Sequence, residues 1–253
     1  MTLLTLAALG WLLAAVAMAS LWAWQQFPAG NRRIVVTTMA SESNVVPGGR
    51  GSYAGGILRD AGWTALVAGL AIFYANAGAG AWTRRSAIAW MMGSWGARLV
   101  VQRLYAPGPS GVPQRAGGAD TEPLPSFQAF QGTAASAVFF SLPALIASVN
   151  PEPTLSSLEL AACGLWMAGF AGETTADRQL LRFRSNPANI GRVCRSGLWR
   201  YSSDATAVFE GIIWTAYAVF AFASPLGFIA FACPAVMVYG LANRRDDQLS
   251  TIT

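Results

Sequence analysis

Residues 172–214 read GETTADRQLLRFRSNPANIGRVCRSGLWRYSSDATAVFEGIIW, and the rest of the chain is best read outward from them. Charge, hydroxyls, amides and aromatic rings crowd together here, between two apolar runs. Glu173, Asp177 and Arg184 stand at offsets of zero, four and eleven, so on a helix they share one stripe. Glu210 lies inside the apolar run that follows. The arginines alone fit an ordinary positive-inside loop. The carboxylates do not, because at the edge of a hydrocarbon layer each carries a desolvation cost unless it is paired.

The flanks are those of a polytopic membrane protein. Of the 253 residues 54% are hydrophobic and 11% charged, where a soluble domain carries about a quarter charged. Seven apolar runs approach the roughly 20 residues that cross a bilayer. They predict an all-α transmembrane bundle in one integral membrane domain over 1–253, with spans at 3–24, 60–82, 86–105, 127–149, 156–177, 205–223 and 225–242. The first run lacks the positive flank of a signal peptide and reads as a retained anchor. Segments 25–59 and 106–126 read as Gly- and Pro-rich loops. Pro143 and Pro234 predict bends, and Ser224-Pro225 a break. Ala75, Gly78 and Gly80 allow close helix approach. With the N-terminus outside, the loops 25–59, 103–126 and 178–204 and the tail lie on the inner side. They hold every arginine except Arg84, Arg85 and Arg98.

Composition also excludes chemistry. All 17 basic residues are arginine and there is no histidine, so no imidazole is available to ligate a metal or haem or to shuttle protons near neutrality. Cys163, Cys194 and Cys233 have no metal-binding spacing. No nucleic-acid motif or Gly-rich dinucleotide fingerprint is present. Two charged residues have two readings each. Arg98 either snorkels toward the interface or points inward to a carboxylate or phosphate. Asp60 is either a carboxylate at a helix N-terminus or a functional group.

The segments ADRQLLRFR, NPANIGRV and SGLWRYS resemble the steroid 5-alpha reductase-like membrane family, in particular its widespread group of unknown function. The resemblance runs from about Asp60 to about Arg245. Asp60 and Trp63 match an Asp-x-x-Trp pattern in it, and an arginine is common at the place of Arg98. It implies a helical membrane fold with a nicotinamide cofactor pocket. Carried over residue by residue, it implies NADPH contacts for Arg98, Asp177, Arg184, Arg192, Tyr201 and Glu210. Arginine forks suit the phosphates, and carboxylates suit ribose hydroxyls or the carboxamide. The candidates for carbonyl activation or proton donation are Asp60, Glu173, Trp95 and Tyr201. Trp95 stands where catalytically defined relatives carry a tyrosine, and indole is a poor acid.

The departures from the family are concentrated in one place. Its pattern Arg-Tyr-Ser-Arg-His-Pro-Asn-Tyr-Phe-Gly-Glu is met here by residues 200–210. Asp204 replaces the His, Thr206 the Asn, Ala207 the Tyr and Phe209 the Gly. The tail NRRDDQLSTIT is also short of the basic, aromatic-rich segment that the resemblance implies. These changes predict weak or lost NADPH binding, and a non-catalytic accessory or structural subunit whose partners are membrane lipids and other membrane protein subunits. The alternative is an NADPH-dependent oxidoreductase acting on the C=C bond of a lipid-soluble enone, a sterol or isoprenoid. A lipid-binding module with an emptied pocket is a third.

Overall fold

The computed structural model describes residues 2–26, 50–105, 126–189 and 191–250, and among them every regular element is helical. In chain order these are α1 (Leu3–Gln26), α2 (Arg50–Ala77), α3 (Trp82–Tyr105), α4 (Phe127–Phe140), α5 (Leu142–Ala147), α6 (Ser157–Arg184), α7 (Ala205–Phe222) and α8 (Ala232–Ser250). Short 3-10 turns cover Pro187–Asn189, Gly197–Arg200 and Gly227–Phe231. The broadest packing interfaces are α2 on α3 and α6 on α7, while α1 lies against α4 and α2. Two helical segments, Leu3–Trp24 and Ala205–Phe222, are long and apolar enough to cross a membrane by length and composition alone. The loop segments 27–49 and 106–125 lie outside the described residues.

The element boundaries follow local chemistry. α4 ends at Phe140 and α5 begins at Leu142, so Pro143 sits in a first turn, where its missing N–H has no intrahelical partner to lose. Pro234 does the same in α8, so the bend expected there falls instead on the 3-10 turn Gly227–Phe231. The break at Ser224-Pro225 is present, and Leu226 after it takes a left-handed φ of 63°. α6 opens with a capping box, Ser156 with Glu159, and runs two turns past the expected end at 177. It stops at Ser185, ahead of Asn186-Pro187, because a residue before proline is pushed out of the helical region. α2 starts about ten residues before the expected Asp60, with Arg50–Arg59 helical rather than looped.

The core is aromatic. Trp95 on α3 and Trp214 and Tyr217 on α7 are fully buried. Trp95 meets Trp214 edge-on with ring centroids 5.4 Å apart, and Phe140 meets Trp214 at 4.7 Å. Trp63 closes the group against Trp95 and Phe140. Edge-to-face pairs of this kind add roughly 0.5–1.5 kcal/mol each beyond their buried area.

One end of the bundle is knitted shut. The N–H of Gly80 donates to Ser148 O and that of Ala81 to Asn150 O, each at 2.9 Å. A Cβ on Gly80 would stand 2.5 Å from Asn150 O, so the expected close approach at Gly78 and Gly80 is between two turns rather than two helices. Beside it Arg84, 2% exposed, is ion-paired through Nε to Glu159, 0% exposed. Arg84 Nη2 donates to Glu159 Oε2 and to Thr154 O, each at 3.0 Å, and Nη1 to Glu152 O. The Glu159 hydrogen bond holds the guanidinium above its usual pKa.

Candidate functional site

The opposite end carries the charged cluster. α3 brings Arg98, α6 brings Glu173 and Asp177, and α7 brings Thr206. Glu173 and Asp177 are one turn apart on α6, and both are buried, at 1% and 8% exposed. Arg98 Nη1 donates to Asp177 Oδ2 at 2.7 Å, and Nη2 forms an ion pair with Glu173 Oε2. The other Asp177 oxygen accepts from Thr206 Oγ1 at 3.1 Å. The Arg98 guanidinium also lies 5.3 Å over the Phe170 ring. Arg98 therefore points inward, not to the interface. Glu210, half-buried on α7, stands near enough for its charge to act on Glu173.

Sequence-assigned residues part company here. Glu173, Asp177 and Arg184 share one stripe of α6 as expected, but the helix outruns the bundle, leaving Arg184 exposed. Arg192 and Tyr201 are exposed as well, Tyr201 at 81%. Thus Arg98 and Asp177 come together, with Glu210 beside them. Arg184, Arg192 and Tyr201 lie on the surface that follows. Asp60 is not at a helix N-terminus: it sits ten residues inside α2, exposed, with its carbonyl accepting from Thr64 Oγ1 at 3.1 Å. The helix-dipole reading of Asp60 is overturned by the ten residues 50–59, which wind ahead of it.

Three of the four substituted positions, Asp204, Thr206 and Phe209, have local work to do. Asp204 caps α7, its carboxylate accepting from Ala207 N–H at 3.1 Å. Thr206 is bound to Asp177. The Phe209 ring fills the notch left by Gly172, where an added Cβ would fall 2.2 Å from the ring. Trp95 is sealed in the aromatic core. Its indole N–H and that of Trp214 have no hydrogen-bond partner among the described residues. Sequence reading missed Glu159, the Asp177–Thr206 bond and the Gly172–Phe209 fit. The Ser-x-x-Glu spacing at 156–159 is a signal that marks the first. The other two join residues 29 and 37 apart and carry no local pattern.

The described residues thus form a helical bundle with a buried Arg–carboxylate cluster. The model of a protein family of unknown function (DUF1295) matches residues 57–244. The chain belongs to that family, and the match takes in all of the stretch 172–214. No curated protein and no solved structure matches it.

Proposed function

We propose that this chain is a membrane-embedded, non-catalytic member of its family, acting as an accessory or structural subunit beside other membrane proteins. The observation that carries this reading is the buried Arg98–Glu173–Asp177–Thr206 network. Two of the six groups that the resemblance assigns to a nicotinamide cofactor, Arg98 and Asp177, are here paired with each other, and Arg98 is paired with Glu173 as well. A ligand would have to break those bonds and regain as much. The nicotinamide end is the poorest fit: the donor and acceptor of the family's Asn are reduced to one hydroxyl turned to Asp177, Asp204 is tied to a helix cap, and Phe209 occupies the Gly172 notch. A site built for hydrogen bonds loses discrimination steeply when its donors and acceptors vanish.

Seven crossings with the N-terminus outside suit the helix lengths, with α4 and α5 counted as one crossing. Helices of 18 to 28 residues reach about 27–42 Å. Two of the three arginines that stand outside the inner loops, Arg84 and Arg98, are neutralised by buried carboxylates, so they do not oppose the positive-inside bias. Single cysteines at Glu152 and Ser185, in a background without the three native cysteines, are expected to react with an impermeant maleimide from opposite faces of sealed vesicles. Reaction of both from the same face would rule this topology out.

A second reading has one observation in its favour. Arg98 Nε and the indole N–H groups of Trp95 and Trp214 are buried donors without a hydrogen-bond partner among the described residues, as a ligand-free pocket of an NADPH-dependent enone reductase would leave them. Titration of the purified chain with NADPH, followed by tryptophan fluorescence, separates the two. The expected result is no saturable change at submillimolar cofactor, and no NADPH oxidation with a panel of enones. Saturable binding with turnover would replace the accessory role with the reductase.

A further inference from the structure

The last two turns of α6 and the connection to α7 together carry six arginines, at 178, 182, 184, 192, 195 and 200, against one carboxylate, Asp204. All six are exposed. The knitted end of the bundle is its electrostatic opposite, since Arg84 is buried against Glu159 and Arg85 donates to Ala75 O beside the Trp82 ring. The basic connection is also built, not slack. Trp199 Nε1 donates to Ala176 O at 2.9 Å, Leu198 N–H to Gln179 Oε1 at 2.8 Å and Asn189 Nδ2 to Phe183 O at 2.9 Å. Cys194 is tucked in at 5% exposed. The strap is therefore fastened along the last turns of α6 and holds its guanidinium groups outward. Between them stand exposed apolar side chains, Leu181, Val193 and Tyr201, with Val193 72% exposed.

We propose that this arginine strap is a binding surface for the phosphate headgroups of anionic phospholipids on the inner face of the membrane. The assignment rests on the membrane reading given above. Guanidinium forks match phosphate oxygens in bidentate fashion. Clustered arginines next to a membrane helix are attracted to an anionic leaflet, within a Debye length of its surface. The apolar residues fit the same occupant. Tyrosine settles at headgroup depth, ring toward the acyl chains and hydroxyl toward water, and Val193 and Leu181 need an apolar layer beside the charges. A free nucleotide would satisfy the charges and leave those side chains in water.

The test uses the full chain in mild detergent. Binding of phosphatidylglycerol and of phosphatidylcholine with matched acyl chains is measured by native mass spectrometry, with inorganic phosphate and NADPH as competitors. Each arginine near an anionic surface contributes about five-fold, so a preference of at least ten-fold for phosphatidylglycerol is expected, weakening with salt. The variant Arg182→Gln/Arg195→Gln/Arg200→Gln spares Arg184 and Arg192 and changes only exposed side chains. It is expected to keep the wild-type melting temperature and lose at least ten-fold of the preference. Equal binding of the two lipids, an unchanged preference in the variant, or displacement of the lipid by micromolar NADPH would each overturn the proposal. Alkaline extraction of vesicles separates its failure from that of the membrane reading. A chain that stays in the pellet but shows no preference loses only the lipid site, whereas a chain that is stripped off loses both.

Discussion

Arg84→Leu is expected to cost the fold far more than replacement of any exposed arginine in the described structure. Arg84 is closed off at 2% exposed, and its guanidinium serves the Glu159 carboxylate together with the carbonyls of Glu152 and Thr154. Leucine fills much of the volume but leaves a buried carboxylate without its counter-charge and two carbonyls short of a donor. Breaking a buried pair from one side costs about 3–5 kcal/mol. For a chain of this size that corresponds to a fall of roughly 6–20 °C in melting temperature. Arg84→Lys is expected to fall between, because one ammonium cannot span the three partners that the planar fork reaches. Glu159 also closes the capping box with Ser156, its Oε2 accepting from Ser156 N–H at 2.7 Å, so its loss uncaps α6 as well as stranding Arg84. The measurement is loss of the monodisperse peak after heating in mild detergent. An Arg84→Leu protein that melts within two or three degrees of wild type, a margin of about 1 kcal/mol, would show that the pair carries no net stability.

The same residues show what a sequence discloses. The helices were legible from apolar run length, and the polar end from residues 172–214, because both are local signals. The ends of helices were less so. Segment 178–184 is polar and reads as loop, yet Arg, Gln and Leu are strong helix formers and nothing stops α6 before Asn186-Pro187. Segment 50–59 looks like a glycine-rich loop, and the structure winds it into α2. Partner choice was the least legible part. Arg98 had three carboxylates within reach of argument, Glu173, Asp177 and Glu210. Its direct partners proved to be Glu173 and Asp177, each more than 70 residues away along the chain. Such a pairing is set by how α3 lies against α6, which no periodicity records. The substitutions at 204–209 were visible as departures from a family pattern, but their roles were not: a cap, a hydroxyl partner for Asp177, and a ring seated over Gly172.

Arg98→Leu is the replacement that separates a structural cluster from a cofactor site. Glu173 is 1% exposed and paired with Arg98, and Asp177 shares the same guanidinium. Without it two carboxylates stand one turn apart, with Glu210 close by and, among the described residues, Thr206 as the remaining donor to Asp177. Burial and like-charge repulsion then act together. A loss of about 3–5 kcal/mol is expected, read as reduced yield and early melting in detergent. The double variant Arg98→Leu/Glu173→Gln removes the more deeply buried of the two stranded charges and is expected to recover part of that loss. This rescue is the decisive arm. If Arg98 served instead to hold a cofactor phosphate, Arg98→Leu would melt like wild type, weaken NADPH binding, and gain nothing from Glu173→Gln. An Arg held in place by two carboxylates is expected to lend little of its charge to a third anion, so the geometry that makes the bundle depend on Arg98 predicts weak phosphate binding there.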